Sequence, residues 1–514
     1  MIAPSLAFPA SMFLSLIAGV LLTLVFLPGP KDGGNAMPFR IFAGGGLGIG
    51  VTSCLYFACM TAGITGYILW IDLLFCLFLG GIGFAVLRRG VAQDPPQSIP
   101  KKTKRTPLDL LLAGILSIEL MASLASFFFA WREAPHGKWD AWLIWNMHAR
   151  FLYRMGEAWR EVFSGGMDWW THWDYPLLLP LSIVRSWKYM GAESVLVPAA
   201  FAFFFWILTV GLLLFALAHL RGRTQGYLGA MVLLGTPLFV LMGASQFADI
   251  PLAFYMLATL VLLHRPRSSS DNPPGALILA GLTAALSAWT KNEGLLFFPI
   301  VAATLLLTEG YTGGWKAAWR GTARFLAGAL PVLLTVACFK TQFSPTNDLV
   351  AGFDAAAVAA KLTDFGRYAE VAKAFLITGI SFTQGLFDAR KGMSLNIGGA
   401  VTTAVLIGYL FLMGVRIDRR ERIALVRSAA VLGLMLLGFF FVYVLTPRDL
   451  GYHLATSLNR LFLQLWPSAI FLGLMIAGSP EPAPSAGGGP GAATARPETE
   501  SPGRGKSGKT RRRK

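Results

Sequence analysis

Residues 108–131 read LDLLLAGILSIELMASLASFFFAW, twenty-four positions with two acids, no base and no proline. At 1.5 Å per residue a helix of that length crosses roughly 30 Å of hydrocarbon. On its N-terminal side stand Arg88-Arg89 and Lys101-Lys102-Thr103-Lys104-Arg105, the densest basic loop before the C-terminal tail. Basic loops stay cytoplasmic, so this span runs outward and the chain emerges just ahead of Lys138-Trp139-Asp140-Ala141-Trp142.

The rest of the chain has the same character. Of its 514 residues 55% are hydrophobic and 14% charged, too apolar for a soluble domain. Apolar runs recur along nearly its whole length, whereas the alternation of an outer-membrane barrel is absent. The expected class is an all-α polytopic membrane protein with about thirteen transmembrane helices of roughly 20 residues each. The net charge of +17 would suggest nucleic acid in a soluble protein. Here the bases are parcelled into short loops and no nucleic-acid partner is expected. Cys54, Cys59, Cys76 and Cys338 lie inside apolar runs without metal-ligand spacing and read as small core residues.

Alternation from the basic loop gives one consistent topology. The first span, near Ser11 to Leu27, is followed by Lys31 and Arg40 and is expected to be retained with its N-terminus outside. Three spans and the basic loop form an N-terminal extension (1–107), and a transmembrane module follows (108–478). Residues 479–514, rich in Pro, Gly, Ala and Ser and ending KTRRRK, form a disordered cytoplasmic tail that touches anionic lipid. The large first external loop, 132–194, carries an amphipathic pattern over Ala141 to Phe163. Arg150, Arg154, Glu157 and Glu161 form one stripe and Leu152, Met155, Trp159 and Val162 another, which predicts a helix lying in the interface.

Polar residues with no solubilising task fall on the external face. Asp140, between Trp139 and Trp142, reads equally as a general base or as the N-cap of the next helix. Asp174, in Thr171-His172-Trp173-Asp174-Tyr175-Pro176, is held where the chain turns back; a turn aspartate is more often structural, but rigid placement also suits an acceptor-orienting group. Lys291, in Thr290-Lys291-Asn292-Glu293, stands against the positive-inside rule; it suggests a bound anion or a Lys291–Glu293 pair. Arg448, His453, Ser457 and Arg460 add donors suited to a phosphate at helical intervals. Asp249 opens an inward span and is expected to cap it. Glu119 lies within a span, as a packing partner or a functional acid. No P-loop, HExxH or GxSxG motif is present.

These motifs resemble the membrane-integral GT-C glycosyltransferases, in particular the protein O-mannosyltransferase and aminoarabinose transferase branch. Trp139-Asp140-Ala141-Trp142 is similar to that family's acid just after an outward span, and His172-Trp173-Asp174-Tyr175-Pro176 to the Pro-containing motif at the far end of its first external loop. The likeness continues through Gln246 to Leu252, Thr290 to Gly294 and His453 to Arg460. It departs at Ala141, where relatives often have a second acid, in the extra N-terminal spans, and in the absence of a large C-terminal soluble domain.

The resemblance implies transfer of a sugar from a polyprenyl-phosphate donor to a glycan, lipid or protein acceptor on the periplasmic face of a bacterial-type inner membrane. Asp140 and Asp174 would be catalytic, and Lys291, Arg448, His453 and Arg460 would hold the donor phosphate. His172, Tyr175, Asp249 and Glu293 would support the acceptor. No cofactor is required, and a divalent metal is left open. A polysaccharide polymerase or ligase, relying on external Arg and His, is the alternative; a lipid or sugar transporter would need polar residues leading to both faces.

Overall fold

The computed structural model describes residues 4–27, 36–91, 106–164, 171–264, 274–346, 354–382, 397–419 and 421–478. The Lys101–Arg105 loop, the Arg265-Pro266-Arg267 turn and the basic tail lie outside these residues. The described secondary structure is helical apart from one isolated bridge between Val415 and Ala477. The fold is therefore all-α, as expected.

Helices α1 (Pro4–Phe26), α2 (Ala36–Thr61) and α3 (Ile68–Val91) precede α4 (Pro107–Glu133). Helix α4 begins at a reciprocal cap, in which Thr106 Oγ1 accepts from Asp109 N while Asp109 Oδ2 accepts from Thr106 N. After the external loop, α6 (Leu178–Met190) and α7 (Leu196–Leu220) lead to α8 (Arg223–Leu234) and α9 (Pro237–Ala244), which meet at a 66° bend. Helices α10 (Asp249–Leu263), α11 (Pro274–Thr290) and α12 (Asn292–Gln342) follow. Helices α13 (Ala355–Thr363), α14 (Phe365–Ser381), α15 (Ile397–Met413), α16 (Arg422–Leu445) and α17 (Leu450–Ile476) complete the order.

Eight of these helices are long and apolar enough to cross a membrane, or nine with α8 and α9 taken as one bent span. The figure of about thirteen is not reached on that measure. The difference lies in three shorter apolar helices, Asp249–Leu263, Gly275–Thr290 and Ala400–Met413, and in the 51-residue α12, which breaks at Gly314 (φ 71°, ψ 172°). A positive φ at Gly314 suits the one residue without a Cβ and divides α12 next to Lys316 and Arg320.

Close backbone approach decides the packing of the first pair. A Cβ at Gly48 would sit 1.7 Å from the Ser15 carbonyl oxygen, so α1 and α2 touch along a line only glycine permits. Helix α10 is buried along its whole length at the centre of the bundle, which explains its short, uniformly apolar sequence.

The external loop departs from the single amphipathic helix. It folds as a π-turned segment (Ala141–Trp145), α5 (Asn146–Arg154) and a 3-10 stretch (Gly156–Phe163). Gly156, at φ 55°, ends α5 and redirects the chain. The two stripes hold in part: Arg154, Glu157 and Glu161 are exposed and Leu152 and Trp159 buried, while Arg150, Met155 and Val162 are intermediate.

The two ends of the bundle differ. At one, Arg221 donates to the Ala477 carbonyl, and Gln225 donates to that of Gly478. Arg416 N donates to the Ile476 carbonyl there as well. These are the loops assigned to the cytoplasm. The opposite end gathers the start of α10, the α11–α12 turn, the α17 start and the external loop.

Candidate functional site

Asp249 occupies the centre of that opposite end. It was expected to cap α10, but the N-cap residue is Ala248 and the Asp249 side chain is fully buried instead. Its Oδ1 accepts from Lys291 Nζ at 3.1 Å and Gln464 Nε2 at 2.6 Å. Its Oδ2 accepts from Arg460 Nε at 3.0 Å and Nη2 at 2.8 Å. A buried carboxylate needs that many donors to offset its lost hydration, and α17 supplies two of the donor side chains one turn apart.

Lys291 also pairs with Glu293 at 2.7 Å, the pair that the sequence offered as one reading of this lysine, and it meets Asp249 besides. Burial would push its amine pKa down, but Asp249 and Glu293 outweigh it and hold it raised. Glu293 Oε2 is buried without a hydrogen-bond partner.

Asp140 is in helical conformation and makes no capping bond, which leaves the N-cap reading without support. Its Oδ2 instead lies 2.7 Å from Arg460 Nη2, with the two side chains 19% and 14% exposed. Arg460 thus bridges Asp140 and Asp249, and its guanidinium lies 4.6 Å from the centroid of the Phe247 ring. The flanking Trp139 and Trp142 are exposed, whereas Trp145 is buried and stacks on Tyr175, centroids 5.4 Å apart.

Asp174 belongs to an adjoining network. Its Oδ2 accepts from Asn292 Nδ2 at 2.7 Å, while Lys340 donates to its backbone carbonyl and to Asn292 Oδ1. His172 Nδ1 stands 3.8 Å from Asp174 Oδ1, and its ring stacks on Tyr175. Burial raises the Tyr175 phenol well above its ordinary range, and Glu293, Asp174 and Asp140 add to the effect. The tyrosine therefore lies within electrostatic reach of both networks. The turn Lys291-Asn292-Glu293 joins them, because Asn292 serves Asp174 while its two neighbours serve Asp249 and each other.

Arg448 and His453 are placed around Thr446: Arg448 N donates to Thr446 Oγ1, and His453 Nδ1 lies 2.9 Å from the same oxygen. His453 also meets the Tyr443 ring, and Ser457 Oγ lies 2.7 Å from Tyr443 Oη. His453 lies two turns, about 10 Å, ahead of Arg460 along α17, and Arg448 precedes the helix. Asn292, Lys340 and Gln464 are site residues that sequence reasoning passed over. Gln464 could have been found from its position one helical turn after Arg460. A small depression beside Phe247 is lined by Leu179, Ile183, Pro198, Phe201 and Pro251 together with Asn146 and Gln246. Among the described residues no group of three or more His, Cys, Asp or Glu is arranged to hold a metal ion.

Helices of this kind, carrying a polar cluster at one end, define a multi-pass membrane protein. Residues 188–346 match the family model described as dolichyl-phosphate-mannose-protein mannosyltransferase, which bears out the resemblance over that segment. The match takes in Asp249, Lys291, Glu293 and Lys340; Asp140, Asp174 and Arg460 lie outside it. Among solved structures, the crystal structure of ArnT from Cupriavidus metallidurans bound to undecaprenyl phosphate is similar at 15% identity and a TM-score of 0.43. The alignment covers 70% of this chain and 59% of that one. No curated protein matches the chain.

Proposed function

We propose that the protein is a glycosyltransferase that moves a sugar from a polyprenyl-phosphate donor to an acceptor on the external, periplasmic face of the membrane. The observation that carries this reading is the convergence of Asp140, Asp249, Lys291, Glu293 and Arg460, from four separate segments, at the end of the bundle remote from the basic loops. The family match over 188–346 supports the reaction class.

In this reading an acceptor hydroxyl or amine passes its proton to Asp140 and attacks the anomeric carbon. The bond from that carbon to the phosphate oxygen breaks, and the polyprenyl phosphate leaves with one more negative charge than it held in the donor. Arg460 and Lys291 stand where that charge develops and lower the barrier by being oriented beforehand. Glu293 Oε2, buried without a partner, offers an acceptor to a sugar hydroxyl. Asp174, fixed by Asn292, orients the acceptor with Tyr175 and His172.

The test is transfer of radiolabelled sugar from synthetic polyprenyl-phosphate sugars by purified protein in lipid nanodiscs. Asp140→Asn should lower turnover by about 10²- to 10⁴-fold, the usual worth of a general base. Full activity in Asp140→Asn would remove that assignment, and absence of transfer from every donor supplied would remove the reaction class.

A further inference from the structure

The cations of the site are already engaged by the protein's own carboxylates, and they are not held equally. Asp249 is fully buried and receives four donor atoms from three side chains. Asp140 meets Arg460 from Oδ2 to Nη2 at 2.7 Å. It is partly exposed and stands at the start of the π-turned segment of the external loop, not inside a spanning helix. Arg460 bonds Asp249 through Nε and Nη2 and meets Asp140 through Nη2. Four carboxylates, Asp140, Asp174, Asp249 and Glu293, face three cations, Lys291, Lys340 and Arg460. An anionic headgroup cannot simply be added to such a cluster; it has to replace one of the acids.

We propose that Asp140 and a polyprenyl phosphate compete for Arg460: one phosphate oxygen takes Nη2 from Asp140, a second engages Nη1, and Asp249 keeps the guanidinium in place. This rests on the phosphate-dependent reading of the site. Guanidinium forks donate to two oxygens of one phosphate in this way, and of the two acids on Arg460 Asp140 is the one that is partly exposed, Asp249 being sealed inside. Displacement has a chemical consequence. Paired to Arg460, Oδ2 of Asp140 is occupied by a donor; released, that oxygen is open to the acceptor's hydroxyl or amine. The base becomes competent only when the donor is bound, so the donor binds before the acceptor is activated. A donor-free site holds Asp140 out of use and protects the acceptor from unproductive deprotonation.

The experiment measures binding of undecaprenyl phosphate, without a sugar, to the full-length protein in nanodiscs of neutral lipid. Asp140→Asn should bind about tenfold more tightly than the wild type, because a charge-assisted hydrogen bond no longer has to be broken. Arg460→Gln should weaken binding, and adding Asp140→Asn to Arg460→Gln should restore none of it. Arg460→Lys, which keeps the charge but lacks the fork, should reduce the benefit of Asp140→Asn and serves if the glutamine variant does not fold. Equal binding by wild type and Asp140→Asn would overturn the exchange. So would the same tightening in the Arg460→Gln background, which would mean repulsion through space. If neither the wild type nor any variant binds the lipid, the phosphate reading falls with it; if the wild type binds and Asp140→Asn does not tighten, only the exchange falls.

Discussion

Arg460 and Lys291 would each be unstable guests in an apolar bundle without Asp249, whose two oxygens face both. Asp249→Asn removes the charge and leaves two buried cations compensated only from the rim. Breaking a buried ion pair in this way costs about 3–5 kcal/mol, so this variant should show a much lower melting temperature in detergent than Asp140→Asn, whose carboxylate is on the periphery. His148 makes a separate prediction. Its ring is fully buried in the external loop, stacks on Trp173 at 3.8 Å and lies 2.8 Å from the Thr171 carbonyl through Nε2. Nε2 must therefore carry the proton and donate, while Nδ1 is buried without a partner. Burial pushes its pKa down from 6.5 to about 3. A depressed pKa means that the unfolded chain takes up a proton before the folded one does. The stability His148 contributes is present above 6.5 and drains away as the pH falls towards 3. Thermal melts between pH 7 and pH 4 should show this loss, and His148→Gln should flatten it.

Among the helices, the N-terminal three brace the loop that carries Asp174. Arg185 of α6 is buried and bonds Asp72 of α3 through Nε at 2.9 Å and Nη2 at 2.6 Å, while its Nη1 donates to Ser15 of α1. Tyr189 donates to the same oxygen of Asp72. Helix α6 begins three residues after Tyr175, so this pair fixes the return of the chain from the site. Asp72→Asn should cost about 3–5 kcal/mol, whereas joint replacement by Leu and Met should recover most of the loss, because a buried pair is costly to break but not to exchange for apolar contact. A calorimetric comparison of the three proteins checks it. Gly48→Leu should separate α1 from α2 and lower the melting temperature in the same assay, since the Ser15 carbonyl leaves no room for a side chain.

Over the whole molecule, the sequence carries an expectation of sidedness, because bases are disfavoured on one face of a membrane. A cysteine at Glu157 in a Cys-free background should react with an impermeant maleimide from outside, and one at Arg419 only after permeabilisation. The reverse pattern would invert the topology. The span count was less legible, since a helix enclosed by other helices, as α10 is, need not match the bilayer thickness. The Lys291–Glu293 pair was legible; the partners of Asp140 and Asp249 were not. Asp140 read equally as a base or a cap and Asp249 as a cap, and only packing decides that one is sealed inside and the other left at the rim. Lys340 was passed over, since its bond to the Asp174 carbonyl depends on the return path of α12 after the break at Gly314.

The turn Lys291-Asn292-Glu293 bears on how such a site can change over time. Three consecutive residues are committed to two networks, and Gly294, whose Cβ would lie 1.9 Å from the Ser287 carbonyl, locks the turn against α11. A one-residue insertion or deletion there would misplace partners for Asp249 and Asp174 at once. Substitutions on the two sides should therefore show strong epistasis, and specificity for donor and acceptor would have to evolve at the rim, in residues such as Trp139 and Trp142, and not at the hinge between the networks.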